Sequence, residues 1–456
     1  MKPGEPIPPL AASPGPLALA DIDGDGDLDL FVGGAVRASH YPQPAPARLY
    51  RNDSGQFALA QEWPALGLVS GSIFSDLDGD GLPELILACQ WGPLRVWRNR
   101  RGRLEPWDPP VSGPGVLEGP LSQLTGWWNG VAAGDFDGDG RLDIVASNWG
   151  ENTPCQFALA DGWQIYSGDT AGNGAVDVIE AFTDRAHQRL VPWRDLDALS
   201  QAMPWLRERF PRHASFAEAS LQEILGNTFP KLRQLTVTWL ASTLFLNRGD
   251  HFEVRRLPGE AQFAPAFGVG VGDYDGDGHE DVFLAQNFFA VHPREARLDA
   301  GRGLWLKGDG RGEFQPVPGP ESGVITYGEQ RGAALSDYDE DGRIDLAVGQ
   351  NNAPTKLFHN ERAQPGLRVR LSGPPGNRQG IGAVLRLQSA GHSWAAREVH
   401  GGSGYWSLDS AVTVLARTNG PMTLSVRWPG GKLTTTAVPP NARELTVNGP
   451  GAASPR

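Results

Sequence analysis

The chain has 456 residues, of which 53 are acidic and 40 basic, giving a formal net charge of −13 at pH 7. This balance, without any basic cluster, excludes a nucleic-acid-binding surface, and no apolar run reaches the roughly 18 residues of a membrane-spanning helix. With 59 Gly and 38 Pro between short strand patterns, the composition predicts a turn-rich, all-β chain that forms one large repeat domain and a small one.

The first predicted elements are acidic loops of the form Asp-x-Asp-x-Asp-Gly-x-x-(Asp/Glu), which occur five times, each before a short aliphatic strand. Their candidate metal ligands are Asp21, Asp23, Asp25 and Asp29; Asp76, Asp78, Asp80 and Glu84; Asp135, Asp137, Asp139 and Asp143; Asp273, Asp275, Asp277 and Asp281; and Asp337, Asp339, Asp341 and Asp345. Clustered carboxylates repel one another, and a hard cation that takes six to eight oxygens offsets this repulsion. The motif therefore predicts about five Ca²⁺ sites and favours Ca²⁺ over Mg²⁺.

These loops differ from EF-hands, which need a bidentate Glu at the twelfth position and helices on both sides. Here the twelfth positions are Val32, Leu87, Ala146, Leu284 and Val348, all within strand patterns. Any one loop alone is also compatible with an unliganded Asp/Gly turn. The recurrence of five aligned copies favours metal binding.

A sixth, incomplete copy has Asp169, Asn173 and Asp177 but Ala171 at its third position. It is equally compatible with a weak Ca²⁺ site and with a structural relic.

The spacing of the loops predicts a β-propeller over residues 1–365. First aspartates are separated by 55 residues (21 to 76), 59 (76 to 135) and 64 (273 to 337), which suits one four-stranded blade per repeat. We expect an integrin-α-like propeller of about six or seven blades.

A helical insertion at about 184–235 interrupts the repeat. Its pattern predicts one helix over residues 195–210, broken or kinked at Pro204, and a second that begins at a Ser215/Glu218 capping box and ends at Gly226. The insertion either packs on the propeller side or forms a lid or partner surface.

On the face opposite the acidic loops, amides and aromatic residues recur where the second strands end and the first strands begin. The candidate ligand-binding residues are Trp91, Trp127, Trp128, Asn148, Trp149, Asn287, Phe288, Glu329, Arg331 and Asn351. Aromatic platforms beside amides suit a sugar or a peptide. The alternative is that the amides cap strands and the tryptophans fill gaps between blades.

Residues 366–450 lack acidic loops and have a different strand pattern, which predicts a small C-terminal β domain. The motifs at 380–383, 401–407 and 426–432 (Gly-Ile-Gly-Ala, Gly-Gly-Ser-Gly-Tyr-Trp-Ser and Val-Arg-Trp-Pro-Gly-Gly-Lys) resemble the ASPIC/UnbV domain. The acidic loops resemble FG-GAP/VCBS repeats of the integrin-α kind. Together they make the chain similar to the bacterial relatives of cartilage acidic protein, although the His-Phe-Gly-Leu-Gly often found in that family is missing after Tyr405.

This resemblance implies a secreted or surface-attached calcium-binding module for adhesion or recognition, with no established reaction. We therefore expect an extracellular, cell-surface or periplasmic protein that binds glycan or extracellular protein and has structural calcium. Residues 1–6 show no signal-peptide pattern, so we expect a truncated N-terminus rather than a cytoplasmic chain.

An alternative function is a polysaccharide-active enzyme that uses the face opposite the calcium loops. Glu329, Arg331 and Glu151 are the side chains that would supply acid, base and charge stabilisation there. Because loop charges are usually solvated, we expect no enzyme activity. Cys89 and Cys155 are expected to be buried thiols, with a single disulfide as the alternative.

Overall fold

The computed structural model describes residue 7 and residues 12–389, 391–418 and 420–452. The segment 1–6, on which the signal-peptide prediction rests, lies outside these residues. Strands make up 44% and helices 11% of the structure, so the fold is mostly β, as the composition predicts. Within the described part of the chain, no helix has the length and apolar character needed to cross a membrane.

Five sheets, named A to E, follow one another along the chain and are antiparallel except for one parallel strand pair in sheet C. Sheet A contains Ser13–Ala20, Asp29–Val36, Ala47–Asp53 and Gln56–Trp63. Sheet B contains Leu68–Ser75, Glu84–Pro93, Arg95–Asn99 and Leu104–Trp107, with Thr125–Trp127 added beside its second strand. Sheet C contains Val131–Gly134, Asp143–Ala146, Thr243–Asn247 and Phe252–Arg256, extended by Pro110–Ser112 and Gly119–Pro120. Sheet D contains Ala266–Gly272, Asp281–Gln286, Leu304–Gly308 and Phe314–Pro316, and sheet E contains Glu329–Ser336, Asp345–Asn351 and Ala353–Phe358.

Each sheet packs face to face on the next. Successive side chains of a strand point to opposite faces of its sheet, and here apolar residues occupy both faces. A separate buried cluster lies in each of the four contacts, represented by Phe31 and Leu85, Ile86 and Phe245, Val145 and Leu284, and Trp305 and Leu346. The expected six or seven blades are not confirmed: the described residues form five such sheets, and none closes on itself.

The insertion between the second and third strands of sheet C is larger than the predicted 184–235. It forms a sheet of its own, here called the inserted sheet, from Trp163–Gly168, Asp177–Asp184, Arg189–Pro192 and Arg233–Val237. Its α-helices are Leu196–Ala202, Trp205–Arg209, His213–Ala217 and Leu221–Leu225. One further short helix, Gly319–Ser322, follows sheet D, and 3-10 turns occupy Leu121–Gln123, Pro154–Asp161, Gly226–Lys231 and Gly259–Gln262.

The helices in the insertion correct the predicted boundaries. The first helical segment breaks at Met203 and Pro204, as the proline predicts. The predicted capping box is wrong: Ser215 lies inside a helix, and Ser220 caps the last helix with Glu223. The sequence offered two Ser-x-x-Glu patterns five residues apart, and only tertiary packing selects between them.

The C-terminal segment forms two sheets around a core that includes Leu385, Leu424 and Trp428. One sheet contains Leu367–Ser372, Thr413–Leu415 and Glu444–Asn448. The other contains Val384–Ser389, His392–Ser393, Arg397–Glu398, Met422–Arg427 and Leu433–Val438.

A loop of this C-terminal segment, residues 400–410, runs between the first strands of the five sheets and is here called the axial loop. Ser403 and Ser407 pair to make it a narrow hairpin with Tyr405 and Trp406 at its tip. It contacts sheets A to E in turn through Gly401 with Leu19, Trp406 with Ser70, Gly404 with Val131, Tyr405 with Phe267, and Ser410 with Leu335. The axial loop therefore joins the C-terminal segment to every sheet.

Candidate metal sites

Each of the five acidic loops joins the first and second strands of its sheet, and its ninth residue begins the second strand. The first aspartate organises the turn. In sheet A the N–H groups of Gly24 and Gly26 donate to the two oxygens of Asp21, at 2.8 and 3.0 Å. The sixth-position glycine has φ of +94° in this loop and +87° in sheet B's, a backbone conformation that favours glycine, which explains why the motif contains Gly at this position.

The ninth-position carboxylate is fixed from two sides. Asp29 accepts hydrogen bonds from the N–H of Ile22 at 3.0 Å and from the N–H of Asn52, on the third strand, at 2.8 Å. The same pair of backbone donors holds its four equivalents, Glu84, Asp143, Asp281 and Asp345.

Asparagines at the end of the third strands also link neighbouring sheets. The side-chain amide of Asn99 in sheet B donates to the carbonyl of Ile22 in sheet A's loop at 2.8 Å. Asn360 in sheet E donates likewise to Tyr274 in sheet D's loop at 2.7 Å. Asn recurs at this point of the repeat, at positions 52, 99, 247 and 360, and its contact with the preceding repeat was not predicted.

The folded loops bring the first, third and ninth carboxylates together. In sheets A to D one oxygen from each lies within 4.8 Å of the others; the groups are Asp21, Asp23 and Asp29; Asp76, Asp78 and Glu84; Asp135, Asp137 and Asp143; and Asp273, Asp275 and Asp281. In sheet E the corresponding cluster is Asp339, Asp341 and His359. The fifth-position aspartates Asp25, Asp80 and Asp139 are more exposed and accept local N–H groups.

Burial raises the pKa of the ninth-position carboxyls. It raises the pKa of Asp29 to about 6 and those of Glu84 and Asp143 to about 8, and it raises the pKa of Asp281 well above its usual value. Among the described residues, none of the five ninth-position carboxylates has a basic side chain within 4.0 Å. These groups are thus either protonated or neutralised by a bound cation.

The donor set fits a hard divalent cation. Carboxylate oxygens are the ligands that calcium prefers. One of them, Oδ1 of Asp135, is buried and accepts no hydrogen bond from the described residues. Basic side chains pair with carboxylates at other positions of the loops, but with none at the ninth position among the described residues: Arg248 lies 2.5 Å from Asp137, and Lys307 lies 2.8 Å from Asp277.

The incomplete sixth copy connects the first two strands of the inserted sheet, away from the five sheets. Asp169 is exposed, and the N–H groups of Gly172 and Gly174 donate to its carboxylate at 2.6 and 2.7 Å. These bonds lower the pKa of Asp169, with the Gly174 bond as the largest contribution. Asp177 pairs with Thr170, and Asn173 closes the turn through Ala175. The loop is therefore held by hydrogen bonds of its own.

The C-terminal segment covers all five acidic loops. Arg427 pairs with Asp76, Arg368 lies 2.7 Å from Asp337, and the N–H of Ala396 donates to Asp135 at 2.8 Å. In the sheet D loop, Arg397 pairs with Glu280; in the sheet A loop, Pro374 lies against Gly26. The acidic loops are consequently an interface inside the protein, which the local sequence pattern gave no means to predict.

The predicted ligand-face residues are mostly inside the protein. Trp91, Trp128 and Trp149 are buried, and Trp127 stacks on Trp149 at 4.2 Å. Trp163 of the inserted sheet packs on Trp91 at 4.6 Å, so the inserted sheet covers these rings instead of leaving an open platform.

The predicted polar residues of that face make internal contacts. The amide of Asn148 donates to the carbonyls of Trp239 and Ala241, and that of Asn287 donates to Gly301. Glu329 pairs with Arg331 at 2.5 Å and accepts from Asn351. Arg331 in turn lies 3.9 Å above the ring of Phe267, with Phe288 stacked beside it.

Family models match two parts of the chain: residues 76–146 match the FG-GAP-like repeat, and residues 373–454 match ASPIC and UnbV. The chain thus combines an FG-GAP-like repeat with a C-terminal ASPIC/UnbV domain, which confirms the resemblance of its motifs. No curated protein matches the chain.

Solved structures show only distant similarity. BBS1N in complex with ARL6DN has 11% identity and a TM-score of 0.32 over 95% of both chains. Exotype rhamnogalacturonan lyase YesX has 13% identity and a TM-score of 0.33, with 95% of this chain and 73% of that chain covered. The V. cholerae biofilm matrix protein Bap1 has 12% identity and a TM-score of 0.25, with 94% and 61% covered. At these TM-scores the similarity indicates no shared function.

Proposed function

We propose that this protein is an extracytoplasmic recognition or adhesion module in which structural calcium holds a propeller of FG-GAP-like sheets (residues 1–365) to a C-terminal domain (366–450). The observation that supports it best is the set of five buried ninth-position carboxylates, none of which forms an ion pair within the part of the chain that the structure describes. Calcium would be held by the first, third, fifth and ninth carboxylates of each loop and would supply the missing positive charge. Calcium loops of moderate affinity fill reliably where calcium is millimolar, which favours a location outside the cytosol.

Calcium would also join the two parts of the protein. The C-terminal domain contacts the same loops through Arg368, Ala396 and Arg427, so metal binding and domain docking share one set of residues. A loop without its ion would present repelling carboxylates to this interface. We therefore propose that calcium acts as a structural element and not as a Lewis acid.

The faces of the terminal sheets support closure into six or seven blades. Leu357 in sheet E and Val96 in sheet B occupy equivalent positions on the third strands of their sheets. Leu357 pairs with Ala347, and Val96 pairs with Ile86 in the same register. Val96 is 3% exposed because sheet C covers it, whereas Leu357 is 60% exposed. In sheet A, Leu17 is 56% exposed on the opposite outer face. We propose that further sheet packing on these two faces completes the propeller.

The enzyme alternative has weaker support. Glu329 is bonded to the N–H of Phe289 and to Arg331, which leaves it poorly placed to transfer a proton to a ligand. Glu151 has an ion pair of its own, 3.6 Å from Arg256, and is distant in the sequence from Glu329 and Arg331. We propose binding of glycan or extracellular protein without turnover.

The test is a thermal melt of chelator-treated protein titrated with Ca²⁺ and, separately, Mg²⁺, followed by glycan and protein binding screens with Ca²⁺ present. A Ca²⁺-selective rise in melting temperature supports the metal assignment, because each filled site stabilises the folded state by RT ln(1 + [L]/Kd). Equal responses to the two ions, or none, contradict it. Cleavage of a glycan in the screen contradicts the non-enzymatic assignment.

A further inference from the structure

A cavity of about 290 Å³ lies on the side of the sheets opposite the acidic loops, where sheets A and B meet the inserted sheet. Its apolar wall is formed by Pro42 and Pro44, from the loop between the second and third strands of sheet A, and by Leu66 and Leu68 near the start of sheet B. Leu235 of the inserted sheet closes the other side. A cavity of this size accommodates one sugar ring or a molecule of similar size.

The charge of this cavity is opposite to that of the protein. Its lining contains two arginines and no Asp or Glu, in a chain with a net charge of −13. Arg95 is half-buried, and its Nε is fully buried with no hydrogen-bond partner. Within the described ranges, no carboxylate lies within 4.0 Å of the Arg95 guanidinium, whereas the half-buried Arg98 and Arg194 both have one. An unpaired guanidinium in such a place is costly unless an anion can reach it.

The neighbouring thiol of Cys89 does not supply that anion. The Cys89 thiol is beside Arg95, but burial raises the pKa of Cys89 to about 11, so the thiol stays neutral at physiological pH. Arg233, at the exposed rim, also has no ion pair within the described part of the chain. Neither guanidinium group is therefore neutralised by a carboxylate of the described residues, and the thiol that interacts with Arg95 is uncharged.

Hydrogen-bonding side chains accompany these charges. Gln90, Thr125 and Thr236 line the same cavity, together with Gln234 at the rim. A guanidinium binds a carboxylate with two parallel hydrogen bonds, amides and hydroxyls bind sugar hydroxyl groups, and an apolar wall suits the C–H face of a sugar ring.

We propose that this cavity, here called the Arg95 pocket, binds the hexuronate residue of an acidic glycan, with Arg95 on the carboxylate. This assignment rests on the recognition function proposed above and specifies the chemistry of its ligand. Arg233 would guide the anion to the rim, and the amides and hydroxyls would distinguish the sugar from a simple carboxylate.

The test is calorimetric titration of the calcium-loaded full chain with galacturonate and glucuronate, with galactose as the neutral match. We expect at least one uronate to bind and galactose to bind at least about tenfold more weakly, because hydrogen bonds to charged groups contribute more than neutral ones. Arg95→Gln should weaken uronate binding at least about tenfold. Arg100→Gln, at an exposed arginine elsewhere on sheet B, should leave it unchanged, and the melting temperatures of both variants show that they are folded.

Equal binding of uronate and galactose, unchanged binding by folded Arg95→Gln, or no uronate binding up to about 20 mM would overturn the proposal. Tighter binding of a dipeptide carboxylate than of either uronate would assign the pocket to peptide instead. The recognition function has an independent test: glycan or protein binding that survives Arg95→Gln would sustain that function and locate its ligand elsewhere.

Discussion

The side-chain amide of Asn247 donates a 2.7 Å hydrogen bond to the main-chain carbonyl of Leu77, 170 residues earlier in the chain. The same amide donates to the carbonyl of Leu142 at 3.1 Å. One buried side chain on sheet C thereby holds its own acidic loop and that of sheet B. The contact between consecutive repeats consequently includes a side-chain hydrogen bond to the acidic loops of sheets A, B and D in addition to apolar packing.

Replacing Asn247 with Ala should lower the free energy of unfolding by about 1–3 kcal/mol, because two buried carbonyls lose their donor. Asn52→Ala is the matched control, since the Asn52 amide bonds only Leu28 of its own sheet. Chemical denaturation with calcium present measures both. Equal losses in the two variants would contradict a role for Asn247 in joining sheets.

The stabilising effect of calcium should grow as pH rises from about 5 to 8. Burial raises the pKa of Glu84 and Asp143 to about 8, above their values in an unfolded chain, so the metal-free folded protein binds protons that the unfolded chain releases. The metal-free protein should therefore lose stability as pH rises through this window, while calcium replaces those protons. Melts at several pH values, with calcium or chelator, test this. A calcium effect that is constant with pH contradicts it.

Gly404→Ala should destabilise the protein by about 1–3 kcal/mol or more. An added Cβ would lie 2.7 Å from the carbonyl oxygen of Val269, at a residue with φ of +60°. Gly249→Ala is the control, because Gly249 also has a positive φ but no atom within 4 Å of the added Cβ. Denaturant unfolding of the two variants distinguishes a steric clash in the axial loop from the backbone strain that both substitutions cause. The same loss in both variants would show that space around the axial loop is not limiting.

Arg397→Gln should cost about 3–5 kcal/mol, because it leaves the carboxylate of Glu280 buried without its partner. The pair is 2.6 Å apart, and the Glu280 side chain is only 1% exposed. Arg370→Gln, which removes an exposed pair with Glu444, should cost less than about 1 kcal/mol. Limited proteolysis should also show earlier release of the C-terminal domain in Arg397→Gln. Unchanged proteolysis would place the effect elsewhere.

The acidic loops were predictable because their determinants are local: the ligand spacing, the glycine at the sixth position and the strand that follows lie within about twelve residues. The buried state of Trp91 and Trp149 was not, because the strand that covers them, around Trp163, belongs to an insertion whose packing on the five sheets the repeat pattern does not indicate. The contact of Arg427 with the Asp76 loop joins two residues that are more than 300 positions apart in the sequence. Patterns of charge and periodicity carry no information on such contacts, although the change of strand pattern after residue 366 did predict a separate C-terminal domain.

The position of the axial loop also bears on how the protein folds. Gly404 pairs with Val131, and Gly401 pairs with Leu19, so the centre of the five sheets receives its last strand-like segment only after residue 400 has been made. During synthesis on the ribosome the sheets would emerge in order, before the axial loop that lies between their first strands. Contacts between segments so far apart in the sequence form slowly. Until they form, the exposed inner strands are prone to wrong pairing. The C-terminal domain is therefore expected to set the pace of folding for the whole chain, including the repeats made before it.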